Sequence, residues 1–185
     1  MNTYRLFVAV NLPESVKDQL SDIQTGVDGA SWVKRPTIHL TLRFLGDGIA
    51  ADRLDRIIAA LGQIEVAPFE LHLAGVGRFP PSGKRSARIL WVGIDEQPAL
   101  TKLLQPAIER AVVSVDFPPD DKPFRGHITL ARLKKPVKGE AIPNWLARQE
   151  TFRSDPIPVN EFVLYSSLLT PQGPIYTAEA TFPLA

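Results

Sequence analysis

Two stretches, Ile38-His39-Leu40-Thr41-Leu42 and Gly126-His127-Ile128-Thr129-Leu130, carry one pattern: His-x-Thr inside a short apolar run. Both alternate with the period of two that marks a strand with one buried face. Residues i and i+2 of a strand share a face. His39 and Thr41 therefore point one way, and Leu40 and Leu42 the other. His127 and Thr129 repeat the arrangement, backed by Ile128 and Leu130. An imidazole takes up or gives a proton near neutral pH. A threonine hydroxyl donates a hydrogen bond to an anionic oxygen. Two such pairs facing each other make a site for acid–base chemistry on a phosphate.

Each motif sits in a similar order of elements. Leu6 to Leu12 reads as a buried strand, and Pro13 opens a helical pattern carrying Val16, Leu20 and Ile23. The first motif strand is expected to run to about Leu45 and stop at Gly46-Asp47-Gly48. Leu54, Ile57, Ile58 and Leu61 mark a second helix, and Phe69 to Val76 a strand. In the second half Ile89 to Ile94 is a buried strand, and Leu100, Leu103, Leu104, Ile108 and Ala111 mark a helix. A proline-rich connection, residues 117–123, leads to the second motif. A short helix around Ile142 to Arg148 and a closing hairpin, Asn160 to Leu169 with Ile175 to Phe182, complete the chain.

Leu6 precedes His39 by 33 positions and Leu90 precedes His127 by 37, so the element order repeats along with the motif. The expected fold class is α+β. One bilobal domain spans residues 1–185 by internal duplication, each lobe a mostly antiparallel sheet with helices on its outer face. The His/Thr faces are left for a groove between lobes. A parallel doubly wound sheet is disfavoured, because no Gly-x-Gly-x-x-Gly follows the first strand.

Composition narrows the function. A chain of 185 residues with 44% hydrophobic residues can bury a proper core. No apolar run is long enough for a transmembrane helix, and the N-terminus lacks the layout of a secretory signal. The chain has no cysteine, which excludes disulfides and thiolate metal sites and fits the cytoplasm. A net charge of +1 is too small for a non-specific duplex coater, so contact with nucleic acid should be local, as at a chain end. There is no His-x-His, no His-Glu-x-x-His and no phosphate-cradling Gly-rich loop, so neither a metal nor a cofactor is expected.

The two motifs and their settings resemble the two-histidine phosphoesterases, closest to the RNA 2',3'-cyclic phosphodiesterases, also called 2'-5' RNA ligases. The likeness rests on Arg5-Leu6-Phe7-Val8-Ala9-Val10, His39 to Gly46, Gly75 to Pro80, Leu90 to Gly93, His127 to Arg132, and Leu169-Thr170-Pro171 with Gly173 to Tyr176. One departure is Gly126, where proline commonly precedes the second histidine; it is expected to loosen that turn without removing a functional group. The resemblance implies hydrolysis of a 2',3'-cyclic phosphate end to a 2'-phosphate end. It implies His39 as proton donor, His127 as proton acceptor, and the reverse 2'-5' ligation as a weak activity. The partner is then an RNA with a cyclic phosphate end, acted on by a monomer without metal or membrane.

The chemistry suits the residues. Opening a cyclic diester needs a base on the attacking water and an acid on the departing ribose oxygen, in line across phosphorus. Opposed imidazoles supply both, and Thr41 and Thr129 are placed to bind the charged oxygens. A bell-shaped pH profile is expected. Around this centre, Arg132 is a candidate phosphate contact and Arg43 shares the parity of His39 and Thr41. Phe79, in the basic stretch 78–85, and Phe124 are candidates for stacking on a base. His72 is read as structural, and Trp32, Trp91 and Trp145 as packing residues. Two other functions fit the same motifs: a diesterase for small cyclic phosphates of nucleotides or ADP-ribose, and a non-catalytic RNA-end binder. Intact His and Thr in both motifs argue against the binder.

Overall fold

Burial follows the alternation read from the two motifs. In a computed structural model that describes residues 3–81 and 86–185, Leu40, Leu42, Ile128 and Leu130 are all at most 3% exposed. The elements in chain order are β1 (Thr3–Asn11), α1 (Glu14–Asp22), β2 (Ala30–Trp32), β3 (His39–Ala50), α2 (Leu54–Leu61), β4 (Phe69–Leu71) and β5 (Leu73–Phe79). There follow β6 (Ile89–Ile94), α3 (Gln105–Val113), β7 (His127–Leu133), α4 (Ala141–Arg148), β8 (Ile157–Val159), β9 (Glu161–Thr170) and β10 (Gly173–Pro183).

Two four-stranded antiparallel sheets carry the motifs, one in the order β10-β9-β1-β3 and the other β2-β7-β6-β5. A small β4–β8 pair stands apart. The sheets do not follow the two sequence halves. β5 comes from the first half yet pairs with β6, and β9 and β10 come from the second yet extend β1. Both β1 and β6 are buried through their centres, so each needs pairing on both edges. Each half's closing strand supplies the second edge for the other half's opening strand. The two sheets are thereby interlocked, and their apolar backs share one core with Val16, Leu20, Ile57, Leu61, Ile108, Val112, Ile142 and Trp145 of the helices.

Some boundaries differ from the sequence reading, each for a local reason. β3 does not stop at Gly46-Asp47-Gly48 but runs on to Ala50. The register slips there, with Leu6 opposite Gly46 and Tyr4 opposite Ile49. Gly46 and Gly48 take φ of 117° and 69°, so the glycines make a bulge rather than a turn. The Phe69–Val76 strand is two strands broken at His72. Ahead of α3 lies a π-helical stretch, Ala99–Leu104, in which Leu103 is 54% exposed rather than buried. Pro106 begins the next turn; it has no N–H and crowds the carbonyl four residues back, which accounts for the widened turn. β2 and β8, three residues each, were too short for periodicity to reveal.

Candidate active site

A β-bulge at the same place in each motif determines which side chains reach the groove. On β3, Ala9 of β1 faces Thr41 while Val8 faces Arg43, so Leu42 is the extra residue. On β7, Trp91 of β6 faces Thr129 while Leu90 faces Ala131, so Leu130 is the extra residue. Alternation resumes one residue late in both strands. The groove position beyond the bulge is therefore Phe44 on β3 and Arg132 on β7, not Arg43 and Ala131.

The four motif side chains come together. His39, Thr41, His127 and Thr129 line one cavity of about 490 Å³, with Arg132, Phe44, Phe7, Arg5 and Tyr176. Ser31, Trp32 and Lys34 from the β2 side and Gln172 to Pro174 of the β9–β10 hairpin close its mouth. Lys34 Nζ donates to the Gln172 carbonyl at 2.6 Å, which joins the two sides.

Both imidazoles are oriented by the carbonyl two residues earlier. His39 Nδ1 is 2.8 Å from the Thr37 oxygen, and His127 Nδ1 is 2.7 Å from the Arg125 oxygen. A carbonyl only accepts, so Nδ1 carries the proton in each ring and Nε2 is left for chemistry. The Nε2 of His39 receives a hydrogen bond from the Thr41 hydroxyl at 2.9 Å. Thr37 is itself set by a short 3₁₀ turn, Arg35–Thr37. That turn is tied to α1 by Arg35, which pairs with Glu14 and Asp18 at 2.5 Å each.

Aromatic rings back each imidazole. Tyr176 meets His39 edge-on at 5.3 Å, with Phe7 at 4.9 Å. Phe79 meets His127 edge-on at 5.1 Å, and Trp91 lies 6.4 Å away. Burial pushes the His39 pKa below the ordinary histidine value; the Thr37 carbonyl opposes this, and the charges of Arg132 and Lys17 add to it. Burial also raises the Tyr176 phenol, against the pull of Arg132 and Arg5.

The outer candidates divide. Arg132 lines the cavity, exposed and beside the two motifs. Arg43 does not reach it. The bulge turns its side chain toward α3 and the proline-rich connection, where it lies 2.7 Å from Glu109 and 3.4 Å from Asp120 and donates to the Pro118 carbonyl at 2.6 Å. Phe124 does not line the cavity either; it packs against the core beside Gly126. Phe79 stands behind His127 against Trp91. The rest of its basic stretch, residues 82–85, lies outside the described residues. Gly126 does more than relax a turn, since a Cβ there would sit 2.2 Å from the Ile94 side chain.

His72 does not line the cavity; its Nε2 lies 3.5 Å from Glu70. Trp145 is fully buried and donates to the Ile23 carbonyl at 2.8 Å. Trp32 and Trp91 do more than pack: Trp32 lines the cavity, and Trp91 lies across Gly77 beside His127. Phe7, Phe44, Arg5 and Lys34 were not singled out from sequence. The alternation of Arg5 and Phe7 on β1 was a usable signal; the shift to Phe44 was not, because a bulge leaves no mark on the apolar pattern.

The family model described as LigT like Phosphoesterase matches twice, over residues 10–91 and 92–176. An RNA 2',3'-cyclic phosphodiesterase of Thermus thermophilus is 37% identical, over 97% of this chain and 90% of its own. One of Archaeoglobus fulgidus is 34% identical, over 93% and 96%. Among solved structures, TT0787 of Thermus thermophilus superposes with a TM-score of 0.79 at 33% identity, covering 97% of both chains. E. coli LigT complexed with 3'-AMP superposes with a TM-score of 0.77 at 25% identity, covering 100% of this chain and 99% of that one.

Proposed function

The chain belongs to the LigT-like phosphoesterase family, and we propose that it opens RNA 2',3'-cyclic phosphate ends to 2'-phosphate ends, with His39 and His127 as its acid and base. The observation that carries this reading is the convergence of both His-x-Thr pairs, from two different sheets, on one cavity.

In the proposed step, water attacks phosphorus and the bond from phosphorus to the 3' oxygen breaks. His127 Nε2 takes the water proton, and His39 Nε2 gives a proton to the departing 3' oxygen. Each ring keeps its Nδ1 proton on its own carbonyl throughout. Its own surroundings bias His39 toward its neutral form, through burial and the Thr41 hydroxyl. The anionic diester reverses that bias. It attracts a proton to the ring and draws the Thr41 hydroxyl to a phosphate oxygen, which frees Nε2 to donate. Thr129 and Arg132 are proposed to bind the other charged oxygens. After turnover the histidines hold each other's protonation states and re-equilibrate through water. Run backwards with a 5'-hydroxyl in place of water, the same pair would form a 2'-5' linkage, a minor activity in dilute solution.

The test is incubation with a cyclic-ended oligonucleotide in the presence of EDTA, with identification of the product end. A 2'-phosphate formed at an undiminished rate is the expected result. Loss of turnover with the chelator would overturn the metal-free mechanism, and a 3'-phosphate product would overturn the choice of leaving oxygen.

A further inference from the structure

The cavity is bordered at one end by a run of positive charge that no carboxylate pairs among the described residues. Arg132 lies past the bulge of β7, opposite Ile89 while Thr129 is opposite Trp91, so it is roughly 7 Å along the strand from Thr129 at about 3.3 Å per residue. The chain continues through Leu133 into Lys134 and Lys135, both exposed. Arg88 lies alongside, because its carbonyl accepts the Leu133 N–H at 2.8 Å and its Nη1 donates to the Lys134 carbonyl at 3.2 Å. Arg88 is exposed as well, and the next residue, Ile89, already lines the cavity. Four cations thus run from inside the cavity out over the end of one sheet.

Among the described residues no ion pair joins any of these four to a carboxylate. Several other arginines are neutralised, Arg35 by Glu14 and Asp18, Arg56 by Asp116 and Arg153 by Asp95, so what sets these four apart is that they lie side by side at the cavity. The matching end of the other sheet is neutralised, since Arg5 pairs with Asp47 and lies 4.6 Å over the Phe44 ring. In a chain of net charge +1, an uncompensated run beginning inside the cavity is a local field directed at an anionic chain.

We propose that Arg88, Lys134 and Lys135 form a track for the backbone phosphates of a single-stranded RNA whose cyclic end occupies the cavity, so that the enzyme prefers an oligonucleotide to a cyclic mononucleotide. The inference rests on the cyclic phosphodiesterase reading and deepens it. Arg132 contacts the reacting end; the track holds the strand leading to it. Exposed lysines and arginines suit this task because they give charge without base selection. Each phosphate neutralised on a single strand adds about −0.7 to the slope of log affinity against log salt.

The experiment compares kcat/KM for a 2',3'-cyclic mononucleotide and for a cyclic-ended single-stranded hexamer, in wild type and in K134A/K135A, from 50 to 200 mM salt. The mononucleotide arm monitors folding and chemistry, because neither lysine lines the cavity. The wild type should prefer the hexamer, steeply so at low salt. The double variant should turn over the mononucleotide at an unchanged rate, and its hexamer slope should flatten by about 1.4, the contribution of two charges. Equal wild-type rates on both substrates, or an unchanged hexamer slope in the variant, would overturn the track while leaving the cyclic phosphodiesterase reading intact. Turnover of neither substrate by the wild type would instead overturn the reading itself. R88Q is the second variant, with a flattening of about 0.7 expected and no change in slope counting against the track.

Discussion

β3 and β7 are built alike and serviced differently. Both present His-x-Thr to the groove, both bulge at the residue after the threonine, and both fix the imidazole on the carbonyl two residues upstream. Beyond the bulge they part. β3 places Phe44 in the groove and Arg43 on the far side; β7 places Arg132 in the groove and fully buried Ala131 on the far side. The surroundings differ too. β3 is an edge strand of its sheet, whereas β7 is covered by β2, whose Ser31 and Trp32 help to line the cavity. A shared backbone device thus holds two imidazoles in the same way, while the residues just past it give one side an aromatic wall and the other a cation. Near-symmetry suits the proton transfers, and its breakdown beyond the bulge gives the groove a direction.

The largest effects should test what the strands share. H39A and H127A should each lower kcat/KM on a cyclic-ended oligonucleotide by about 10²–10⁴-fold. The double variant should fall little further, because the pair works as a unit. A loss confined to one histidine would break the equivalence of the two strands. Next comes the difference beyond the bulge. R132A should cost about 10–100-fold in kcat/KM, the worth of a charge-assisted hydrogen bond to phosphate. Lysine should restore part of this, because it keeps the charge and loses the planar fork.

Arg43 tests the other side of the bulge. Its guanidinium ties the first motif strand to Glu109 of α3 and to the connection that leads into the second motif. R43A leaves the Glu109 carboxylate, 23% exposed, without its partner. We expect a loss of stability of about 2 kcal/mol, below the range for a fully buried pair, read as a lower denaturant midpoint at constant slope. Turnover below the transition should change much less than in R132A. A KM effect on the scale of R132A would place Arg43 in the groove after all.

Arg43 also marks where the sequence stopped being legible. Alternation correctly gave the burial of Leu40, Leu42, Ile128 and Leu130 and the shared face of each His/Thr pair, because nothing interrupts the period up to the threonine. One extra residue then flips every later side chain, so counting parity from His39 carried Arg43 into the groove and left Phe44 out. An apolar pattern records which residues are buried, not where a strand gains a residue on its neighbour. Phe124 failed for a different reason: an aromatic beside a motif serves equally well as a platform or as an anchor, and here the core takes it. The exchange of β5 and β9 between sheets was equally hidden, because order along the chain does not say which free edge a closing strand will find.

The smallest expected effect is also the finest probe of the asymmetry. His39 is held below the ordinary histidine pKa, first by burial, and its Nε2 accepts the Thr41 hydroxyl. A hydrogen bond to the neutral ring disfavours protonation. T41V removes that bond at nearly constant volume and should therefore move the His39 titration upward. If His39 is the acid, the enzyme needs it protonated, so kcat/KM in the wild type should fall as pH rises through this lowered pKa. T41V should shift that alkaline limb to higher pH even as it lowers the maximum. The imidazole nitrogens of ¹⁵N-labelled protein report the ring directly: Nε2 should titrate below the ordinary histidine value while Nδ1 stays protonated on the Thr37 carbonyl. If the Nε2 titration of His39 is the same in T41V as in the wild type, the Thr41 hydroxyl is not what favours the neutral ring, and this difference between the two strands falls.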